Sequence, residues 1–325
     1  VAAERVNLEQ ITTEEISLLA YLPNLQSVLC SGGDPETVSL LKDYCQNRQL
    51  DFQICLGTET IPLDTREVTV NAITDSQLDL MPLFPNLKKL HMQQPEASAR
   101  KLLELQKNHP GVTITWEQEI CGQVFSSTVE EIDLSGIQDI RLEDLERQMA
   151  YFPEANLVFL GECGLDNELL AAHREQARDR YKLVWTVSCG SNLKTRTDAT
   201  TFMPVRENVY YFNDEEAYNL RYCEDMVAVD IGHMSIHNIE FVEYMPNLQY
   251  LILAHTEVRD VTPLANCKQL KFLELEGTFW LGFLEGACTG IMFWALMMGI
   301  LFATGSLTKV QNFKRRLLGR KETAE

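Results

Sequence analysis

One phrase returns along this chain with small changes: YLPNLQSVLC from Tyr21, LFPNLKKLHM from Leu83, YFPEANLVFL from Tyr151 and YMPNLQYLIL from Tyr244. Each copy is an aromatic or aliphatic pair, a proline, a turn and then an alternating apolar run. A unit of this kind cannot bury its apolar face alone and must stack on its neighbours, which is the signature of a solenoid. Such a chain is a surface for holding something before it is a pocket for chemistry.

The phrase marks a longer unit. The intervals from Tyr21 to Leu83 and from Leu83 to Tyr151 are similar, and the interval from Tyr151 to Tyr244 is longer. Partway through each of the first three units stands a second β-like run: DFQICLG from Asp51, VTITWEQ from Val112 and YKLVWTV from Tyr181. A third run follows in the first two, EVTVN from Glu67 and VEEIDLSG from Val129. In the third unit its counterpart is read as MVAVDIG at Met226, delayed by an insertion over 192–223.

Between the first and second runs the apolar spacing is that of amphipathic helices. DPETVSLLKDYCQN opens with an N-cap at Asp34 and Pro35 at the first helical position. PEASARKLLELQKN is expected to start at Pro95, and DNELLAAHREQARD at Asp166. Strands alternating with helices predict parallel strands on one side and helices on the other. Gly57-Thr58, Cys121-Gly122 and Cys189-Gly190-Ser191-Asn192 predict small hairpins that break the spiral.

After Met226 the period shortens. Met226, Leu248 and Leu270 are evenly spaced, and each opens the pattern LxxLxLxx, as MVAVDIGH, LQYLILAH and LKFLELEG. At this point the chain resembles the bacterial leucine-rich-repeat proteins. Its last repeats are internalin-like, and its longer units are similar to the irregular repeats of surface proteins from Gram-positive gut bacteria. TDATTFMP and the later LRYCEDMVAVDIGH are similar to that group as well. The resemblance spans residues 11–278. The expected fold is α/β, a leucine-rich-repeat solenoid with a curved parallel sheet and helices on the convex side, followed by one transmembrane helix. The expected domains are the solenoid over 1–278, with units near 21–82, 83–150, 151–243 and 244–278, a span over 279–308 and a tail over 309–325. One departure stands out. The ninth position of the pattern is usually asparagine, and here it is Met234, Thr256 and Thr278. Threonine can satisfy part of the bend, whereas Met234 leaves it to water or neighbouring backbone.

The register of these short repeats predicts three outward ladders on the concave sheet: Asp230, Ile252 and Glu274; Ala228, Tyr250 and Phe272; His233, His255 and Gly277. Aromatic residues dominate binding hot spots. Asp230, His233, Tyr250, Ile252, His255, Phe272 and Glu274 are therefore the candidate partner-binding residues, against the plainer reading of a solvated sheet face. Two histidines without a third ligand make a poor metal site, so no metal is expected.

Nucleophile-elbow, dinucleotide, phosphate-loop, zinc-protease and calcium-loop motifs are all missing from the sequence. No enzyme activity and no cofactor are expected. Acidic pairs such as Glu14-Glu15, Glu130-Glu131 and Asp214-Glu215-Glu216 read as wet faces. Nine cysteines, an odd number without a CxxC pair, read as packing groups rather than a disulfide framework, with Cys30, Cys55 and Cys189 in apolar runs. From Phe279 onward there are six Lys/Arg and three Asp/Glu, so the chain up to Thr278 carries 22 basic and 44 acidic side chains, a net of −22. That repels phosphate backbones and argues against nucleic acid. Solubility or a cationic partner accounts for the charge.

Between Glu285 and Lys309 stand 23 uncharged residues, long enough to cross a hydrocarbon core of about 30 Å. Gly286 and Gly290 form a GxxxG, continued by Ala295, Gly299 and Ala303, a face suited to a helix-mediated homodimer. Lys309, Lys314, Arg315, Arg316, Arg320 and Lys321 follow, so the expected topology is single-pass, with the C-terminus cytoplasmic and the repeats extracytoplasmic. That topology needs an export signal, and VAAERVNLEQ is not one. Three explanations stay open: a removed signal, a start inside a longer protein, or a span not native to these repeats. The functional expectation is a non-enzymatic, membrane-anchored protein binding a protein or glycan through its concave face. The alternative is a structural cell-envelope scaffold or spacer without a discrete ligand site.

Overall fold

The computed structural model describes residues 3–190, 193–204 and 212–278. Among the described residues one local conformation occurs six times. A 3-10 turn ends at Tyr21, Leu83, Tyr151, Tyr222, Tyr244 and Asn266, and a strand begins six residues later, at Ser27, Lys89, Leu157, Ala228, Tyr250 and Phe272. The residue after each turn has φ between −122 and −81 and ψ between 66 and 86, outside the helical region. In four copies proline follows it and disfavours the α conformation there, so the turn stops. The carbonyl of that residue then accepts the N–H three residues on, at Leu25, Leu87, Ala155, Met226, Leu248 and Leu270. Two copies escape the sequence pattern, YCEDMVAVD from Tyr222 and NCKQLKFLE from Asn266, because both lack the proline.

The chain divides into two compact units, residues 1–159 with 177–182, and residues 160–176 with the chain from Leu183 onward. The first unit opens with β1 (Arg5–Leu8), α1 (Thr13–Leu18), β2 (Ser27–Cys30), α2 (Pro35–Asn47), β3 (Asp51–Leu56) and β4 (Glu59–Ile61). The same order repeats as β5 (Glu67–Asn71), α3 (Asp75–Leu78), β6 (Lys89–Gln93), α4 (Ala99–Asn108), β7 (Thr113–Ile120) and β8 (Gln123–Ser126). It starts again with β9 (Glu131–Asp133), α5 (Leu142–Gln148) and β10 (Leu157–Phe159). In each complete block three strands run parallel and the fourth turns back antiparallel. β9 pairs with β10 in parallel.

The helix starts follow their caps. Asp34 accepts from the Thr37 N–H at 2.9 Å and Pro35 is the first residue of α2, as expected. The second long helix begins at Ala99, four residues after the expected Pro95. Ser98 caps it, and Asp75 holds the Ser98 N–H at 2.7 Å.

α6 (Asn167–Ala177) and β11 (Lys182–Val184) come next, then β12 (Thr186–Ser188), β13 (Lys194–Arg196), β14 (Thr201–Phe202), α7 (Asp214–Tyr218), β15 (Ala228–Asp230), β16 (Tyr250–Ile252) and β17 (Phe272–Glu274). β14 to β17 form one parallel sheet. Two expectations change here. MVAVDIG is a second strand of its block, the partner in kind of β2, β6 and β10, and not a delayed third run. The run matching EVTVN and VEEIDLSG is Thr201–Phe202, inside the segment read as an insertion over 192–223. That segment therefore carries ordinary repeat elements, β13, β14 and α7. A strand of two residues shows no alternation, so it left no periodic trace. The long interval from Tyr151 to Tyr244 is one large block to Tyr222 followed by one short repeat.

The three expected hairpins are present as β3–β4, β7–β8 and β12–β13. At the first, Gly57 has φ +59, and a Cβ there would stand 1.7 Å from the Asn71 carbonyl oxygen, so glycine is required. After the other two, the chain returns through a buried hydroxyl residue facing a buried tryptophan. The Ser127 N–H donates to the Trp116 carbonyl at 2.7 Å, and the Trp116 N–H to Ser127 Oγ at 3.1 Å. Thr197 and Trp185 repeat the exchange at 2.9 and 3.2 Å. Each hydroxyl thus supplies the acceptor that a departing strand takes away.

Inward strand positions make the cores. Val28, Ile54, Leu90 and Trp116 in the first unit, and Val229, Leu251 and Leu253 in the second, are fully or almost fully buried. Burying each such side chain contributes about 1.5–3 kcal/mol. Cys30, Cys45, Cys163, Cys189, Cys223 and Cys267 are buried and free. Cys55 is only half-buried, because strand alternation gives the core to its neighbours Ile54 and Leu56. The acidic pairs work partly as caps: Glu15 accepts the Thr12 N–H and Glu216 the Asn213 N–H. Among the described residues no helix is long and apolar enough to cross a membrane. The expected span over 279–308, its GxxxG and the basic tail over 309–325 lie outside the described residues.

Candidate binding face on the last four strands

Strand register assembles the candidate residues as expected. Ala228, Tyr250 and Phe272 are cross-strand neighbours, as are Asp230, Ile252 and Glu274. Val229 and Leu251 between them are buried, so the two ladders share the opposite, outward face. Tyr250, Phe272, Asp230, Ile252 and Glu274 are all half-buried, whereas Ala228 is buried at the foot of Tyr250. Met203, the residue after β14, is exposed. Beyond Asp230, Gly232 is closely packed: a Cβ there would meet the Ala254 carbonyl oxygen at 3.2 Å, Asp230 Oδ1 at 3.3 Å and Ile252 Cγ2 at 3.4 Å. Asp230 Oδ1 accepts the Gly232 N–H at 3.1 Å.

The columns on either side of these ladders pair within themselves. Before the strands, Lys271 Nζ donates to Gln249 Oε1 at 2.7 Å and Gln269 Nε2 to Asn247 Oδ1 at 3.4 Å. After them, His233 and His255 stack with ring centroids 4.5 Å apart and planes 27° apart. His233, His255 and Gly277 all have positive φ, 66, 56 and 70. At Gly277 a Cβ would lie 2.2 Å from His255 Nδ1, so the imidazole occupies the place of a third side chain in that ladder. Both histidines are exposed, and the described residues contain no group of three or more His, Cys, Asp or Glu that could hold a metal.

The bends are closed by threonine. Thr256 Oγ1 and Thr278 Oγ1 both donate to the Leu253 carbonyl, at 2.7 and 2.9 Å. At Met234 the work falls to backbone: its carbonyl accepts the Ile236 N–H, and the His233 N–H beside it goes to Ala254. Just after the 3-10 turn before β17, Cys267 Sγ donates to the Val242 carbonyl at 3.4 Å, and burial, with Glu243 nearby, pushes its thiol up to about 11.

Charged side chains brace the turn that precedes β15. The Arg221 guanidinium lies between the rings of Tyr218 and Tyr222, 4.0 and 4.3 Å from their centroids, and donates to Glu168 at 2.7 Å. The Tyr222 hydroxyl donates to the same carboxylate oxygen at 2.8 Å. These hydrogen bonds, Arg221 first, hold the Glu168 carboxyl below its ordinary value, while burial first and Glu168 second push the Tyr222 hydroxyl up. Arg174 lies over Trp185 at 4.9 Å and donates to the Tyr222 carbonyl and to Glu224. His237 sits between two carboxylates, 3.2 Å from Asp214 and 3.1 Å from Glu257. Sequence reasoning missed Met203, His237 and this brace. Their partners are distant in the chain, and no local motif joins them.

A strand and a 3-10 turn recurring at one short period, with apolar residues inward at LxxLxLxx, make the region from Ala228 to Thr278 a leucine-rich-repeat fold. No protein-family model matches the chain, and no curated protein matches it. Among solved structures it is similar to internalin C2 of Listeria monocytogenes, 16% identical, with 67% of this chain and 85% of that chain covered and a TM-score of 0.21. It is similar to a leucine-rich-repeat protein of Leptospira interrogans, 14% identical, covering 84% and 82% with a TM-score of 0.22. A third is the leucine-rich-repeat ectodomain of the Arabidopsis thaliana receptor kinase GASSHO1/SCHENGEN3 in complex with CASPARIAN STRIP INTEGRITY FACTOR 2, 14% identical, covering 85% and 32% with a TM-score of 0.19. At these values the likenesses say nothing of what this chain binds; the architecture rests on its own strand registers.

Proposed function

We propose that this chain is a non-enzymatic binding protein whose outward face on β14–β17 takes a protein or glycan partner. The observation that carries the reading is the Tyr250–Phe272 ladder, half-exposed aromatic area set between columns that pair within themselves. Side chains of this kind concentrate binding energy where they can be fully desolvated by a partner. In the same reading the chain is held at a membrane through 279–308, with the repeats outside and the basic tail in the cytoplasm, on the strength of the uncharged run and its flanking charges.

The test of the face is capture of binding partners by the wild-type chain and by Tyr250→Ala with Phe272→Ala. Lost capture with unchanged unfolding is expected; unchanged capture of every partner would favour a scaffold without a ligand site. Topology is tested by protease treatment of intact cells. Repeats digested from outside are expected, and repeats shielded until the membrane is opened would overturn it.

A further inference from the structure

Resting on that reading of the face, we infer that its partner presents a basic segment, and that a lysine or arginine side chain of that segment seats beside Asp230. Three observations converge. The outward positions of β14–β17 are Thr201, Ala228, Asp230, Tyr250, Ile252, Phe272 and Glu274, so the charges carried on the face are carboxylates. Glu276, following β17, adds another, and the chain up to Thr278 carries a net of −22.

The second observation is the set of neighbours. Ala228 precedes Asp230 on its strand, while Tyr250 and Ile252 stand on the next strand, Ile252 directly across from Asp230. This register sets a carboxylate beside an aliphatic and an aromatic side chain. A lysine or arginine carries an apolar stem under a charged head, so the stem can lie on Ile252 and the Tyr250 ring while the head reaches Asp230. Aromatic faces attract cations, and a carboxylate adds a charge-assisted hydrogen bond.

The third observation is the contrast with β5–β8. There an outward carboxylate already meets a lysine, Glu67 with Lys89 at 3.0 Å, and Glu117 lies 3.7 Å from the His91 ring. On β15–β17 Lys271, in the column before the ladders, is set against an amide, Gln249, and Asp230 accepts a backbone N–H from Gly232. A basic side chain arriving there would add a charge-assisted hydrogen bond to Asp230.

The test is panning of a random peptide display library on the full chain at physiological salt, followed by affinity measurement of the enriched peptides. Enrichment of Lys/Arg-rich peptides is expected. Their affinity should fall about tenfold or more in Asp230→Asn and in Tyr250→Ala, each a loss of one hot-spot contact, and stay unchanged in Glu67→Gln. Equal weakening in Asp230→Asn and Glu67→Gln would mean general attraction to an acidic body and would overturn the inference. Enriched neutral or acidic peptides that are lost in Tyr250→Ala would overturn the basic partner while leaving the face as the binding surface. Enriched peptides indifferent to Tyr250→Ala, or no enrichment at all, would count against both.

Discussion

The sheets β5–β8 and β14–β17 are built from the same local unit and carry outward residues of different character. On β5–β7 the ladders are Glu67, Lys89 and Thr113; Thr69, His91 and Thr115; Asn71, Gln93 and Glu117. Their side chains satisfy one another: Lys89 pairs with Glu67, and His91 Nδ1 lies 3.0 Å from Thr115 Oγ1. On β15–β17 the corresponding positions hold Tyr250, Ile252 and Phe272 between Asp230 and Glu274. Underneath, the two sheets are equivalent, with Leu90 and Leu251 almost fully buried. The contrast separates what a repeat needs in order to stack from what it is free to display. Stacking uses the inward residues and the turn; the alternate positions are free to differ between the sheets.

If the cores are equivalent, Leu90→Ala and Leu251→Ala should each cost about 2–5 kcal/mol, measured by urea unfolding. A large cost at one and almost none at the other would break the comparison at its base. Gly57→Ala should be the next largest, about 1–3 kcal/mol from the positive φ alone, with the Asn71 clash adding to it. Hydrogen exchange should rise in β5, where Asn71 lies. An unchanged exchange pattern would contradict the close approach at that hairpin.

Acid should act on the turn that feeds the aromatic face. The folded Glu168 carboxyl sits below its ordinary value of 4.5, so its stabilisation is complete above that value and is lost as pH falls through the lower folded one. Glu168→Gln should flatten this part of the acid limb of a pH–stability profile. A profile unchanged by the substitution would remove the Arg221–Tyr222–Glu168 brace from the account. The smallest effect belongs to the polar face. Lys89→Gln with Glu67→Gln should change stability by about 0–1 kcal/mol, since the pair is exposed, and less at high salt.

The repeat was legible because stacking constrains sequence. The phrase ending in an alternating run, the glycine turns of the hairpins and the even spacing of Met226, Leu248 and Leu270 all appear as strands and bends at those places. The ladders of candidate residues followed from register alone. Copies at Tyr222 and Asn266 were missed because cysteine is followed there by Glu224 and Lys268, where other copies carry proline, although the backbone turn is the same. Helices α1, α3, α5 and α7 were missed for a different reason. With four to seven residues they are too short for an apolar stripe, and three of them are held by capping boxes, among them Thr12 with Glu15 and Asn213 with Glu216. The Arg221 brace and the His237 contacts with Asp214 and Glu257 depend on long-range neighbours and became visible only in three dimensions.

The most direct test of the central claim is site-specific photocrosslinking in intact cells. A benzophenone amino acid replaces Tyr250 in one variant and His91 in another, and both are irradiated under the same conditions. Adducts formed at position 250 and not at 91, mapped by mass spectrometry, are the predicted result. Adducts at 91 with none at 250 would contradict the account and move recognition to the polar sheet.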